Sequence, residues 1–246
     1  MEIDIILTTH NRLELTIACV TALYEWTQIP FKLTVVDDST DLTPEWFRLF
    51  QLEHDNVNYL HFDEKVLKSG AQIINIGLKN SKNEYVVNLN NSVRVEPLWL
   101  EAALEQMGNP QVGVVGFKLL TETGLISHAG LLVKDDTLWN LGARDAGHRY
   151  TFINEVPAVG WALALYRRSA FPDGMEDYYI GFRGWDDVDW CFDLRKRGWK
   201  VLYCGFGAAY HKEGATRKVR TQEFNDDVNE NTKRFFDRWG ESEFIH

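Results

Sequence analysis

The sequence of 246 residues lacks several short motifs that mark common enzyme classes. It has no G-x-G-x-x-G segment after its first apolar run, no G-x-x-x-x-G-K-[ST] loop, no H-E-x-x-H pair and no G-x-S-x-G turn. These absences argue against the commonest dinucleotide-binding, phosphate-loop, zinc-protease and serine-hydrolase designs. No apolar run approaches the ~18 residues that predict a membrane-spanning helix.

Positive charge and cysteine are also scarce. The 26 Lys and Arg residues stand against 36 Asp and Glu residues, a formal net charge of -10. We therefore expect no nucleic-acid partner, because phosphate backbones select basic surfaces. The three cysteines have no metal-ligand spacing and are predicted to be reduced core residues. With no leader pattern at the start, the expected location is cytoplasmic, either free or peripheral at the inner face of a membrane.

What the sequence does contain is an alternation of apolar strands and amphipathic helices. The predicted strands of the first half are Ile3–Leu7, Phe31–Val36, Val57–Phe62, Tyr85–Leu89 and Val112–Leu119. This alternation predicts an α/β fold with a doubly wound, mostly parallel central sheet flanked by helices, and a smaller lobe from the less regular second half. We expect a single domain, with halves over 1–95 and 96–215 and a helical tail over 216–246.

Individual residues predict where helices begin and end. Thr43 is expected to be an N-cap, with Pro44 in the first turn, and Ser69 is expected to cap the next helix. Pro97 is predicted to open a helix that runs to about Met107. Gly198 is predicted to end a helix that begins near Trp185.

Three polar clusters follow predicted strands, at Thr8–Arg12, Asp37–Asp41 and Asn90–Ser92. Carboxyl ends of parallel strands meet at one edge of a sheet, where ligands bind, so we expect the clusters to converge. A carboxylate there can accept the imino N–H of uracil or thymine, or hold a ribose hydroxyl. Each cluster taken alone is also an ordinary polar turn.

A fourth cluster, Trp185-Asp186-Asp187-Val188-Asp189, is predicted to open a helix. Its carboxylates are explained in part by the helix dipole. The functional alternative is a general base that takes the proton of an attacking hydroxyl. Tryptophans can provide flat walls for sugar rings, although burial in the core is the commoner role. His211 is either a metal ligand or an ordinary surface histidine.

The ordered set of motifs resembles family 2 glycosyltransferases of the GT-A fold group. The segments that carry the resemblance are Ile5–Arg12, Val35–Asp41, Asn75–Leu78, Val87–Val93, Gly160–Leu163, Trp185–Cys191 and His211. It implies inverting transfer of a hexosyl or deoxyhexosyl group from a UDP- or dTDP-sugar to a hydroxyl of a carbohydrate or glycolipid, in glycan or polysaccharide synthesis. Residues 1–95 then form the nucleotide-sugar-binding half and residues 96–215 the acceptor and catalytic half.

The resemblance also implies roles for individual residues. The catalytic base is expected to be Asp187, with Asp186 as the second candidate. Trp161 and Trp185 are expected to bind the acceptor, and Ser92 and His211 a metal. The predicted nucleotide-sugar-binding residues are Thr9, Asn11, Arg12, Asp37, Ser39, Asn75, Asn90 and Asn91.

The metal site departs from the family pattern. Ser92 stands where the last aspartate of a D-x-D motif is expected to bind Mn²⁺ or Mg²⁺. Metal binding then depends on His211 and the phosphates, or basic side chains such as Lys68 replace the metal. The same departure leaves a second function open, that of a non-catalytic nucleotide-sugar- or glycan-binding module. A nucleotidyltransferase is disfavoured because Thr8–Arg12 contains no glycine.

Overall fold

The computed structural model describes residues 1–63, 66–134, 137–182, 184–214 and 221–240. Its strands are β1 (Ile3–Thr9), β2 (Phe31–Asp37), β3 (Val57–His61), β4 (Tyr85–Asn90), β5 (Val93–Val95), β6 (Val112–Leu120), β7 (Ile126–His128), β8 (Leu131–Lys134), β9 (Thr137–Asn140), β10 (Ile153–Glu155), β11 (Leu163–Arg167) and β12 (Lys200–His211). Its α-helices are α1 (Leu13–Trp26), α2 (Thr43–Glu53), α3 (Gly70–Lys79), α4 (Glu101–Gln106), α5 (Asp186–Lys196) and α6 (Gln222–Trp239).

In the described part of the chain, the central sheet runs in the order β10-β12-β6-β11-β4-β1-β2-β3, with β5 paired to β12 and β7 to β6. The strands β1 to β4 are parallel to one another, whereas β11 lies antiparallel between β4 and β6. The ribbon of β8 and β9 is separate from this sheet. The predicted α/β class with a large central sheet flanked by helices is confirmed, and in detail the sheet is mixed because the second half contributes antiparallel strands.

Helices cover both faces of the sheet. Successive residues of β1 point to opposite sides, so Ile6 lies in one apolar cluster and Ile5 in the other. The cluster around Ile6 includes side chains of α3, α5 and α6, and the cluster around Ile5 includes side chains of α1, α2 and α4. This burial on both faces explains why the strands of the first half are continuous apolar runs.

Two elements differ from the predicted ones. The helix predicted over Pro97–Met107 begins only at Glu101, because Leu98 has a left-handed backbone with a φ of 59°, which the first turn of a helix does not accept. The apolar character of Pro157–Tyr166 predicts one strand over all of that segment, but β11 begins only at Leu163. The residues before β11 instead form a loop that reaches the site described below.

Local capping follows the sequence in most places. Ser69 Oγ accepts the backbone N–H of Gln72 at 3.2 Å, as expected of an N-cap, and Gly198 follows α5 with a φ of 85°. Thr43, however, is the first residue of α2 rather than its cap. Asp41 Oδ1 accepts the Thr43 N–H at 2.9 Å, so Asp41 caps the helix instead.

The helix α6 is held against α5 by a buried carboxylate. Asp189 is 1% exposed and accepts hydrogen bonds from Tyr179 Oη at 3.1 Å, Trp239 Nε1 at 2.5 Å and Arg238 Nη1 at 3.2 Å. Of the tail predicted over 216–246, α6 is the part that is described, and residues 216–220 and 241–246 lie outside the described residues. Among the described helices, none has both the length and the apolar character needed to cross a bilayer.

The contact between α3 and β1 gives a first prediction. A Cβ at Gly77 would lie 2.4 Å from Ile6 Cγ2, so Gly77→Val should overpack this contact. Overpacking a dense core costs ~1–3 kcal/mol, and we expect the melting temperature to fall by about 2–12 °C. Lys79→Val is the matched control, since it places valine in the same helix at an exposed position, and it should melt within about 2 °C of the wild type. Equal melting of the two variants would contradict the packing argument.

Candidate active site

The carboxyl ends of β1, β2 and β4 meet at one edge of the sheet. In the parallel register Thr9 lies beside Asp37 and Thr8 beside Asn90. Thr9 Oγ1 donates to Asp37 Oδ1 at 2.6 Å, and Thr8 Oγ1 donates to Asn90 Oδ1 at 2.7 Å. The structure therefore brings the three polar clusters of the first half together.

Asp37 lies at the centre of this edge and has no exposed surface. Its Oδ1 accepts hydrogen bonds from Thr9 Oγ1, from the Ser39 N–H at 3.1 Å and from Ser39 Oγ at 2.5 Å. Its Oδ2 accepts from Tyr59 Oη at 2.7 Å and from His61 Nδ1 at 2.9 Å. Both oxygens are thus occupied by protein donors, and the carboxylate has no surface from which to touch a nucleobase directly.

The first and second polar loops are tied together by Asn11. Its Oδ1 accepts the backbone N–H groups of residues 40 and 41 at 2.8 and 3.1 Å, and its own N–H donates to Ser39 Oγ at 2.6 Å. Asn11 and Arg12 both have left-handed backbones, with φ of 55° and 63°. The Arg12 guanidinium stays at the surface, where Nε donates to Glu14 at 2.7 Å.

Two further asparagines predicted to bind the donor anchor loops. Asn91 Nδ2 donates to Asn11 O at 3.0 Å and to Thr16 Oγ1 at 2.9 Å. Asn75 pairs with the backbone of Met175, donating to its carbonyl at 2.8 Å and accepting its N–H at 2.7 Å. Both carboxamides are therefore committed to protein partners.

The two residues predicted to bind metal lie close together. The ladder of β5 and β12 pairs Val93 with His211, and the Lys212 N–H donates to Ser92 O at 3.0 Å. Within the described ranges, however, no three His, Cys, Asp or Glu side chains converge as a metal site would require. Divalent Mn²⁺ and Mg²⁺ favour carboxylate oxygens, so the side chains present around Ser92 do not fit either ion.

Asp187 lies at the start of α5, and its Oδ1 accepts the Val188 N–H at 2.9 Å. A Cβ at Gly160 would lie 3.7 Å from Asp187 Oδ2, so the carboxylate lies against the loop before β11. Two residues further along this loop, Ala162 O accepts the Asn90 N–H at 2.9 Å. A single stretch of backbone therefore links the Asp187 carboxylate to the end of β4.

The adjacent carboxyl groups of Asp186 and Asp187 are both perturbed. A Cβ at Gly70 would lie 2.9 Å from Asp186 Oδ2, so this carboxylate faces the first residue of α3. Burial raises the pKa of Asp186 to about 6. Burial, and then the negative charge of Asp186, raise the pKa of Asp187 to about 7. A carboxyl group with a pKa near neutrality is matched to proton transfer at neutral pH.

The tryptophans predicted to contact an acceptor lie in the core, which is the alternative that the sequence left open. Trp185 is 5% exposed and stacks on Phe235 with ring centroids 4.4 Å apart. Trp161 is also 5% exposed and packs on Tyr166 with centroids 4.9 Å apart. Neither ring presents a flat face to a ligand.

Several residues of the site escaped the sequence argument. Tyr59 and His61 belong to β3, and His61 lies beside Asp37 in the β2–β3 register. Extending the strand-end argument to the third strand would have found them. No spacing signal points to His128, which is 4% exposed and contacts the loop before β11.

The raised pKa of Asp187 predicts a pH-dependent stability. An unfolded aspartate has a pKa near 3.9, so the folded protein binds more protons than the unfolded chain between about pH 4 and the folded pKa of about 7. Stability therefore falls as pH rises through this window. Asp187→Asn removes the ionisation, and its melting temperature should exceed that of the wild type by about 2–4 °C at pH 8 and match it at pH 4.

Asp173→Asn is the control for this comparison, because Asp173 is exposed. It should leave the melting temperature unchanged at both pH values. A lower melting temperature of Asp187→Asn at pH 8 would contradict the prediction.

Two curated relatives align with most of this chain. The chain is 27% identical over 228 residues to an uncharacterized protein, y4gI, of Sinorhizobium fredii, covering 87% of this chain and 25% of the relative. It is also 27% identical over 230 residues to the O-antigen biosynthesis protein RfbC of Myxococcus xanthus, covering 89% of this chain and 18% of the relative. The chain therefore spans a quarter or less of the length of these relatives.

Solved structures share the fold at low identity. A structure of GalNAc-T7 with UDP, GalNAc and Mn²⁺ matches with a TM-score of 0.77 and 14% identity, over 98% of this chain and 48% of that one. A mannosyltransferase of Pyrobaculum calidifontis, in complex with GDP-Man and Mn²⁺, has a TM-score of 0.63 and 18% identity over 95% and 69%. Residues 1–349 of TarS from S. aureus have a TM-score of 0.61 and 14% identity over 99% and 74%.

The match to a family model identifies the family. Residues 4–174 match the family described as Glycosyl transferase family 2. This segment contains the three strand-end clusters and the loop whose Gly160 lies against Asp187. The chain belongs to glycosyltransferase family 2.

Proposed function

We propose that this chain transfers a sugar from a nucleoside-diphosphate sugar to an acceptor hydroxyl with inversion, and that Asp187 is the catalytic base. The observation that carries the proposal is the position of the Asp187 carboxylate. It lies against Gly160, where an added Cβ would be 3.7 Å from Asp187 Oδ2, two residues before the Ala162 carbonyl that bonds to Asn90. A base and the predicted donor-binding edge therefore share one stretch of backbone.

The chemistry follows from that placement. The acceptor oxygen attacks the anomeric carbon from the face opposite the leaving group, and the carbon–oxygen bond to the diphosphate breaks. The ionised carboxylate of Asp187 takes the hydroxyl proton as the new glycosidic bond forms. A pKa of about 7 makes Asp187 a stronger base than an ordinary aspartate while leaving it ionised above neutral pH. Asp186 faces α3 instead, which makes it the weaker candidate.

At the predicted nucleotide site, the buried Asp37 holds the strand ends together, and His61 provides the contact with the nucleobase. The His61 side chain is 28% exposed, whereas that of Asp37 is fully buried. With one ring proton on Nδ1, donated to Asp37, Nε2 of His61 is an acceptor, which suits the imino N–H of uracil or thymine. We therefore propose a UDP- or dTDP-sugar as donor. Asn90, whose Oδ1 accepts from Thr8, keeps its Nδ2 group for a ribose or sugar oxygen.

No step of the proposed reaction uses a metal ion, since the side chains around Ser92 do not fit Mn²⁺ or Mg²⁺. Lys212 is exposed beside Ser92, and its charge suits the leaving diphosphate. Two solved structures of similar fold contain Mn²⁺, so the assays below include this ion. The relation to RfbC supports glycan or polysaccharide synthesis as the setting and a carbohydrate or glycolipid as the acceptor. The cytoplasmic location stays a prediction.

The base assignment predicts the kinetics of Asp187→Asn. The variant should lose transfer by a factor of about 10² or more, because general-base catalysis contributes that much, while its Kd for the donor stays within about twofold. In the wild type, kcat/KM should rise with pH up to about 7, as the carboxylate ionises. The measurement is release of nucleoside diphosphate from UDP-, dTDP- and GDP-sugars, with and without Mn²⁺ and a panel of carbohydrate acceptors.

The outcomes of this assay separate the two functions that the sequence left open. Asp173→Asn is the control and should match the wild type, since Asp173 is exposed and outside the site. Near-normal turnover by Asp187→Asn would refute the base assignment. Donor binding by the wild type without turnover under any condition would favour the non-catalytic binding module that Ser92 suggests.

The nucleotide contact predicts a selective loss of affinity. His61→Ala should weaken binding of UDP and dTDP by about 3- to 10-fold, the effect of one hydrogen bond, in isothermal titration. His148→Ala is the matched control, because His148 is exposed and has no role in the site, and it should bind as the wild type does. Unchanged affinity of His61→Ala for UDP and dTDP would show that another group binds the nucleobase.

A further inference from the structure

The segment that precedes α5 is anchored on α6 at two points. The backbone N–H of Ile180 donates to Asn231 Oδ1 at 2.9 Å, and Asn231 Nδ2 donates back to the Ile180 carbonyl at 3.0 Å. Further along the segment, Trp185 Nε1 donates to Thr232 Oγ1 at 2.9 Å. Asn231 has no exposed surface, so its pair of hydrogen bonds with Ile180 is a buried and fixed attachment.

Two glycines shape the chain between these attachments. Gly181 and Gly184 have left-handed backbones, with φ of 59° and 83°, a conformation that glycine adopts readily. A Cβ at Gly184 would meet no other atom within 4 Å. The segment is therefore a turned loop with open space beside it, and this space lies one residue before Trp185.

Phe182 lies in this loop and is 46% exposed. Tyr178, shortly before it, is also exposed, but the guanidinium groups of Arg234 and Arg238 lie over its ring, each 5.7 Å from the centroid. Within the described part of the chain, no ring or cation covers Phe182 in this way. The loop thus presents an aromatic face that the fold leaves available to a ligand.

The loop leads directly into the helix that carries Asp187. Trp185 has a left-handed backbone, and its carbonyl accepts the Asp189 N–H at 2.9 Å within the first turn of α5. Phe182 is five residues before Asp187, a span of at most about 18 Å. An acceptor whose hydroxyl meets Asp187 therefore has Phe182 within reach of the same sugar or of an adjoining one.

We propose that Phe182 is an acceptor-contacting residue, whose exposed ring packs on the apolar C–H face of an acceptor sugar. The face of an aromatic ring is electron-rich and attracts such C–H groups. The inference rests on the proposed function in taking Asp187 as the base that meets the acceptor hydroxyl. Phe182 then has the role that the family resemblance implied for Trp161 and Trp185, whose rings are buried in the core.

The donor does not require this contact. The predicted donor-binding residues Thr9, Asp37 and Asn90 lie at the ends of β1, β2 and β4. The loop of Phe182 is instead attached to α6 and continues into α5. Loss of the Phe182 ring should therefore weaken binding of the acceptor and leave binding of the nucleotide unchanged.

The test measures transfer from UDP- and dTDP-sugars to methyl glycosides of mono- and disaccharides, with the full chain. Phe182→Ala should raise the acceptor KM by about 3- to 10-fold, since one aromatic contact contributes on this scale. Its kcat at saturating acceptor and its Kd for the donor should stay within about twofold of the wild type. Phe182→Tyr keeps the ring and should retain the wild-type KM, whereas Phe182→Leu keeps an apolar side chain without the aromatic face and should resemble Phe182→Ala.

Phe206→Ala is the matched control, because Phe206 is also exposed, at 58%, and lies in β12. It should leave the acceptor KM unchanged. All four variants should melt within about 2 °C of the wild type, since they alter exposed side chains. Equal acceptor KM values for the wild type, Phe182→Ala and Phe182→Leu would overturn the inference.

A binding measurement separates this inference from the proposed function. Saturation-transfer NMR reports binding of the methyl glycosides whether or not the protein transfers sugar. Glycoside binding that is lost in Phe182→Ala, by a wild type that releases no nucleoside diphosphate, would support the contact and refute the transferase. An active wild type whose acceptor KM does not depend on Phe182 would refute the contact alone. Glycoside binding that is equal in the two proteins, or absent from both, would also overturn the contact.

Discussion

The sheet edge where β1, β2 and β4 end depends on the fully buried carboxylate of Asp37. A buried charge without partners destabilises a fold by several kcal/mol, so it must be surrounded by donors. Those donors come from three parts of the chain: Thr9 at the end of β1, Ser39 in the loop after β2, and Tyr59 and His61 in β3. Satisfying one carboxylate therefore fixes the relative positions of three strand ends, and with them the loop that Ser39 shares with Asn11.

Asp187 shows the opposite arrangement, a carboxylate that the fold leaves less stabilised. The Val188 N–H donates to Oδ1 of Asp187, yet burial and then the Asp186 charge raise its pKa to about 7. The same protein thus contains one carboxylate whose donors complete a structural framework and another whose charged form is destabilised. The difference lies in the number of hydrogen bonds that the described residues donate, five to Asp37 and one to Asp187.

The sequence predicts the framework well and the lining of the site poorly. Apolar periodicity locates β1 to β4 because both faces of the sheet are buried, and strand ends bring Thr9, Asp37 and Asn90 together by geometry alone. The role of each polar side chain depends on its tertiary partner, which no local pattern reveals. Asn75 bonds to a backbone 100 residues away, and the exposure of Trp185 depends on α6. The helix α4 likewise begins later than predicted because Leu98 has a left-handed backbone, and the presence of Pro97 does not predict that conformation.

The clamp between α5 and α6 has a consequence for biosynthesis. The face of α5 that backs the Asp187 region packs its aromatic side chains Trp185 and Phe192 on Phe235, and Asp189 requires the indole of Trp239. Trp239 lies 50 residues after Asp189 in the sequence, so it is synthesised later. The strands of the first half can pair as they emerge, but Asp187 acquires its final surroundings only after residue 239 has been made. Until α6 has been synthesised, the aromatic side chains of this face of α5 have no partner from it and are left uncovered.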